Sequence, residues 1–191
     1  NTINIAFLQT KLFRSRLAGI LHFCIYWGFL ILSLVILESV IEGFFPNFSF
    51  SFLGKFYSVI TLTQDFFGAL VFFVVLFSLI RRFIGTPKRL QVEASSRNDA
   101  VFILVLILFI MVTMFGANVE RILLGQSHGL KPISAFISGF FSTGSHTLYE
   151  VHWWAHNIIV LLFLNYLPYS KHFHVLSSVP NTFLSNFKID K

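Results

Sequence analysis

Four stretches of the chain stay apolar for long enough to cross a bilayer, and polar or bend-forming residues separate them. The pattern predicts helices over about Leu17–Ile41, Phe56–Ile80, Ala100–Leu124 and Tyr149–His174. Each supplies the roughly 20 residues that a helix needs to cross about 30 Å of hydrocarbon. A shorter apolar piece, Ile133–Phe141, is too short to span and is expected to pack as an interfacial or re-entrant segment. Gly43, Pro46 and Asn47 punctuate the end of the first helix, and Gly85, Thr86 and Pro87 the end of the second. Ser95, Ser96, Asn98 and Asp99 read as a capping cluster ahead of the third. No internal repeat interrupts this order.

Composition agrees with the pattern. Of 191 residues, 55% are hydrophobic, only 12% are charged and 26 are Phe. A soluble domain carries about twice that charged fraction. The reading is an integral membrane protein, and long apolar runs favour helices over a barrel. The first residue is Asn rather than Met, as expected of a processed chain or part of a longer one. No signal peptide is expected: the run after Arg16 is too long for an h-region and lacks a cleavage pattern. The single cysteine, Cys24, cannot form an internal disulfide or hold an iron–sulfur cluster.

The net charge of +6 is not a nucleic-acid signal, because the basic residues sit at helix ends, where orientation and anionic lipid explain them. Lys11, Arg14 and Arg16 precede the first helix. Arg81, Arg82, Lys88, Arg89 and Arg97 lie between the second and third, and Lys171, Lys188 and Lys191 follow the fourth. These are 11 of the 14 basic residues, so both termini and the second-to-third loop are expected on the cytoplasmic side of a bacterial or archaeal cytoplasmic membrane.

Histidine placement carries the chemistry. His156 and His174 are 18 positions apart, which on one α-helix is five whole turns and a rise of about 27 Å. Two imidazoles on one stripe at opposite membrane faces suit one axial ligand for each of two stacked haems. His22 lies about two turns into the first helix, at a depth matching His174, and the two together meet the requirement for a bis-histidine haem b. Taken singly, His22 can equally bond a neighbouring carbonyl, since a buried imidazole needs a partner, and His174 can be an interfacial residue just past the span. His152 stands one turn from His156 on nearly the same face, and HxxxH can also hold a metal. No Glu follows His152, and Trp153 and Trp154 belong to an aromatic belt. His172 points away from His174 and reads as a headgroup residue. His128 and His146 fall in the connection between the third and fourth helices, as loop, quinone-site or distal-ligand residues.

Asp65, beside Gln64, interrupts an apolar run, and an intramembrane carboxylate is a functional candidate by default. Its role would be proton exchange with a bound quinone; the plain alternative is a carboxylate at the headgroup level. Glu38, Glu120 and Glu150 are weaker candidates, and Glu120 beside Arg121 reads as a local interfacial pair. The Arg81-Arg82 and Lys88-Arg89 cluster reads as an orientation signal, with docking of a soluble electron carrier as a second use.

These residues resemble a known pattern. His156, followed by Pro168-Tyr169-Ser170-Lys171-His172-Phe173-His174, looks like the last helix of the cytochrome b (gamma) subunit of respiratory nitrate reductases, which carries two haem ligands at the same spacing. Arg16-Leu17-Ala18-Gly19-Ile20-Leu21-His22 is similar to the helix bearing their partners. The run Ser170 to Leu176, followed by Val179-Pro180-Asn181, is closer still to the membrane cytochrome domains of heterodisulfide-reductase-like iron–sulfur oxidoreductases. That group includes the membrane-bound electron-transfer-flavoprotein:menaquinone oxidoreductases. The resemblance implies that His22 and His174 ligate a cytoplasm-proximal haem b and His156 a distal one. The family places a further histidine 10 residues after the first; here that position is Leu32, so the chain holds one haem, or two with His128, His146 or His152 as the substitute ligand.

The expected fold is thus an all-α integral membrane haem b bundle of four spanning helices, or five with the re-entrant segment. Residues 1–178 form the membrane cytochrome b domain, and 179–191 a cytoplasmic tail or a linker to an iron–sulfur region outside this chain. The expected function is a quinone-linked oxidoreductase component. It would pass electrons between cytoplasmic iron–sulfur clusters, on flavoprotein-associated subunits or a further part of the polypeptide, and menaquinone or ubiquinone in the lipid. The competing readings are a haem-free, histidine-lined transporter or proton path, and a histidine-box metalloenzyme.

Overall fold

A computed structural model describes residues 16–45, 48–84, 94–170, 173, 174 and 177, with the side chains of Val35 and residues 94–97 left aside. The expectations on Pro46, Asn47, Gly85, Thr86, Pro87, His172, the terminal lysines and the 179–191 tail lie outside these residues. The described chain is helical, with no strand among the described residues: α1 (Arg16–Phe44), α2 (Lys55–Ile84), α3 (Ala94–Leu123), the short α4 (Pro132–Ser138) and α5 (His146–Tyr166). Short 3₁₀ turns lie at Phe50–Leu53 and Leu167–Tyr169.

Among the described residues three helices are long and apolar enough to cross a membrane: α1, α2, and α3 from Asn98 to Leu123. Helix α5, at 21 residues, has the length, about 31 Å. Its first half carries His146, Glu150, His152, His156 and Asn157, which dilute its apolar character. Helix α1 packs on α2, α2 on α3, α3 on α5, and α5 touches α1, while α4 rests on α2 and α3. Between them lie Val71, Val75 and Leu79 of α2, Ile103, Leu106, Ile110 and Met114 of α3, and Val160, Phe163 and Leu167 toward the end of α5. Each set recurs at three or four residues, so one stripe of each helix turns inward. Outward, Phe66, Phe73, Phe77, Phe109, Leu161 and Leu162 are exposed, an apolar girdle that water would not tolerate but lipid would.

Glycines set the closest approaches. A Cβ on Gly28 would collide with Val71 across the α1–α2 seam, and one on Gly116 would come within 2.8 Å of Cγ of His152 on α5. Small residues let helix backbones draw together where lipid supplies no hydrophobic drive.

Three sequence expectations need correction. The last helix does not run unbroken to His174: it ends at Tyr166 and tightens into the 3₁₀ turn, and Ser170 is extended, at φ −93° and ψ 163°. Pro168 has no N–H to continue the ladder, and the Ser170 N–H bonds back only three residues, to Leu167. The five-turn phase relation between His156 and His174 therefore does not hold. Ser95, Ser96, Asn98 and Asp99 do not precede α3; they lie within it, and Asp99 accepts a 2.6 Å hydrogen bond from the Tyr166 hydroxyl on α5. Glu120 and Arg121 do not pair locally. Adjacent helical residues point about 100° apart: Glu120 accepts from the Ser145 N–H, while Arg121 pairs with Glu42 and Tyr149.

Candidate cofactor cavity and polar chamber

At the end where α1 and α3 begin and α2 and α5 finish, the four long helices surround a cavity of about 430 Å³. That is within the range of cofactor pockets, roughly 300–1,000 Å³. Its wall on α1 is a helical stripe: Ala18, Leu21, His22, Ile25, Tyr26, Phe29, Leu32 and Ile36. Ile103, Leu104, Ile107 and Met111 face it from α3, and Val160, Phe163 and Leu167 from α5 and its terminal turn. The lining is mostly apolar. His22, His174, Tyr26, Ser78, Arg81 and Arg82 are the polar groups.

His22 and His174 meet across this cavity. Their ring centroids are 5.9 Å apart with planes 24° from parallel. Offset-stacked aromatic rings commonly lie with centroids about 4.5–7 Å apart, a range this pair meets. Two imidazole nitrogens on one metal ion, at about 2 Å each, place the ring centroids about 6.3 Å apart. The observed spacing fits that arrangement. Among the described residues no three His, Cys, Asp or Glu side chains converge on a common point. Tyr26, one turn from His22, also lines the cavity; it is 5% exposed, and its hydroxyl has no hydrogen-bond partner among the described residues.

His156 lies elsewhere. It is 8% exposed against α3, with Nδ1 3.1 Å from the Ile110 carbonyl and 3.2 Å from Thr113 Oγ1. It lines a second, polar chamber of about 80 Å³ at the opposite end of the helices, which Glu38, Glu42, Tyr57, Asp65, Arg121, Lys131 and Tyr149 also line. Among the described residues no second imidazole lines that chamber. Leu32 is buried in the wall of the first cavity, and His152 packs on Gly116 with Nδ1 2.8 Å from its own Leu148 carbonyl. His128 and His146 are exposed.

Asp65 is 2% exposed, and its carboxylate is fully engaged. It accepts from the Ile133 N–H at 2.6 Å, the Ser134 N–H at 3.2 Å and the Ser134 hydroxyl at 2.5 Å, pinning the first turn of α4 to α2. The rest of the chamber is a connected polar network. Glu38 accepts from Ser49, the Phe50 N–H and Tyr57, and Arg121 bridges Glu42 and Tyr149. Lys131, in the connection before α4, donates to Asn118 Oδ1 at 2.8 Å. Burial, and then the Arg121 charge, hold its ammonium down at a pKa of about 8, against the pull of Glu38, Asp65 and Glu42. Single-residue reasoning passed over Lys131, Glu42, Tyr149 and Tyr26. For Tyr26 the available signal was its place four residues from His22 on an apolar stripe.

Comparison with known proteins places the chain beside oxidoreductases. It aligns over 189 residues with a probable iron-sulfur-binding oxidoreductase, FadF, of Bacillus subtilis at 29% identity, covering 95% of this chain and 26% of that protein. It aligns over 192 residues with EtfAB:quinone oxidoreductase of Syntrophomonas wolfei subsp. wolfei at 27% identity, covering 92% of this chain and 26% of the relative. Both relatives are oxidoreductases. The chain spans about a quarter of the length of each. No family model matches, and no solved structure does. Neither relative's name speaks of a cytochrome b or of a nitrate reductase.

Proposed function

We propose that this chain is the membrane electron-transfer module of a quinone-linked oxidoreductase, holding one haem b between His22 and His174. The observation that carries the reading is the facing pair of imidazoles, 5.9 Å apart in a cofactor-sized apolar cavity. A haem b held there supplies one-electron transfer. His22 and His174 would hold the iron, and a haem so held would carry electrons rather than bind oxygen or substrate. The apolar walls keep water away and tune the potential through burial.

In this reading α5 is the fourth span, with its length matched to the hydrocarbon thickness. The basic end, which bears Arg16, Arg81 and Arg82, faces the cytoplasm. Iron–sulfur centres then exchange electrons with the cavity from that side, in keeping with the name of the Bacillus subtilis relative, and the membrane provides the quinone that the name of the Syntrophomonas wolfei relative mentions. Quinone chemistry also moves protons. The chamber at the other end offers Lys131, Tyr57, Glu38 and Glu42 around a space for a small cluster of waters, and we assign it to proton exchange. Asp65 anchors α4 in this scheme. The likeness to the gamma subunits of nitrate reductases and to heterodisulfide-reductase-linked cytochrome domains supports the same assignment of His22 and His174.

The visible absorption spectrum of the purified protein tests this reading. Soret and α bands of a six-coordinate haem b that sharpen on dithionite reduction are expected. A colourless protein from haem-replete cells would leave the transporter reading standing in its place.

A further inference from the structure

The last turn of α2 places two adjacent arginines, Arg81 and Arg82, in the wall of the large cavity, at the same end as His22 and His174. A cation in the last turn of a helix is ordinary, because the partial negative charge of the helix end favours it. That accounts for arginines at these positions but not for where they lead. Both are partly buried, both line the cavity, and neither forms an ion pair among the described residues, where the one ion pair is Arg121–Glu42. A guanidinium drawn out of water without an anion is unfavourable. Neighbouring helical residues leave the axis about 100° apart. Two such side chains bordering one space therefore approach it from different directions, and suit two separate anionic groups better than one. The rest of the wall is apolar apart from the imidazoles, Tyr26 and Ser78. The cavity thus offers apolar walls, two facing imidazoles and two cations at one end.

We propose that Arg81 and Arg82 each clamp one carboxylate arm of the porphyrin, fixing which edge faces the basic end of the helices. The proposal rests on the haem reading above and goes beyond it by assigning the residues that orient the ring. Arginine is suited to the task because its planar fork can engage both oxygens of a carboxylate. A phospholipid phosphate could satisfy the same guanidiniums, so the test must separate the two anions.

The whole polypeptide, expressed in haem-depleted cells, is titrated in membranes with haem b and with its dimethyl ester, which has the same iron and ring but no carboxylates. Wild type is expected to bind haem b roughly tenfold or more tightly than the ester. In Arg81→Gln/Arg82→Gln that preference is expected to fall close to one, chiefly by weaker binding of haem b, and Arg81→Lys/Arg82→Lys keeps part of it. The midpoint potential of the bound haem is expected to drop in the Gln variants, because removing a positive charge near the ring favours the ferric form. Equal affinity of wild type for haem b and ester overturns the clamp while leaving the haem reading intact, and would return the arginines to lipid. Uptake of neither compound overturns both. If the double variant does not accumulate, the comparison of the two ligands on wild type decides alone.

Discussion

Asp65→Ala is expected to unfasten α4 from the helices beneath it. The carboxylate takes three donors, the N–H groups of Ile133 and Ser134 and the Ser134 hydroxyl, in a site that is 2% exposed. Hydrogen bonds to a charged group are each worth about 1.5–3 kcal/mol, but they share one acceptor and do not add. Leaving these buried donors without their acceptor costs about 1–3 kcal/mol for each that finds no other partner. Asp65→Asn keeps one good acceptor and turns a donor toward the α4 backbone, so about 1–3 kcal/mol is expected. Unfolding in detergent by chemical denaturant gives both numbers. Proteolysis in the connection around residues 124–145 reports whether α4 has come loose, and it should rise in the Ala variant first. Stability within about 1 kcal/mol of wild type for Asp65→Ala, with α4 still protected, would refute the anchoring role. Unchanged stability of Asp65→Asn with loss of quinone reduction would make the residue a proton carrier instead.

Other expectations follow from the same coordinates. Lys131, held at about 8, binds fewer protons folded than unfolded between about pH 8 and its ordinary 10.5. Stability should therefore rise with pH through that window, by at most about 3 kcal/mol, and Lys131→Met should remove the rise in denaturation curves taken from pH 7 to 10.5. Gly116→Ala pushes a methyl into the His152 ring. It should cost about 1–3 kcal/mol by overpacking, less about 1 kcal/mol of helix propensity, and His152→Ala in the same chain should recover most of the loss. His156→Leu gives up the contacts with the Ile110 carbonyl and Thr113. About 1–2 kcal/mol is expected, with haem content unchanged, as read by denaturation and by the pyridine haemochrome.

Much of this arrangement was legible before any coordinates. The long spans follow from run length, and the pairing of His22 with His174 from matched depth at the basic end. Those two rings do lie together, but the separate expectation that set His156 and His174 on one stripe fails. The 18-residue phase match assumed an unbroken helix, and the Pro168 in the middle of the quoted motif is what breaks it. A local rule about proline outranked a periodicity extrapolated across it. Pairings between helices were the other loss. Arg121 reaches Glu42, 79 positions away, rather than its neighbour Glu120, and Asp65 reaches α4 across 69 positions. No spacing rule encodes such contacts; only the packing of α1, α2, α3 and α4 brings them together. Tyr26, Arg81 and Arg82 were visible as residues but not as cavity walls, since a cavity belongs to four helices at once.

The ratio of haem to polypeptide, measured on wild type beside His22→Ala and His174→Ala, tests the account most directly. One haem b per chain in wild type and almost none in either variant is the expected result. Two haems per chain, or a ratio left unchanged by both substitutions, would contradict it.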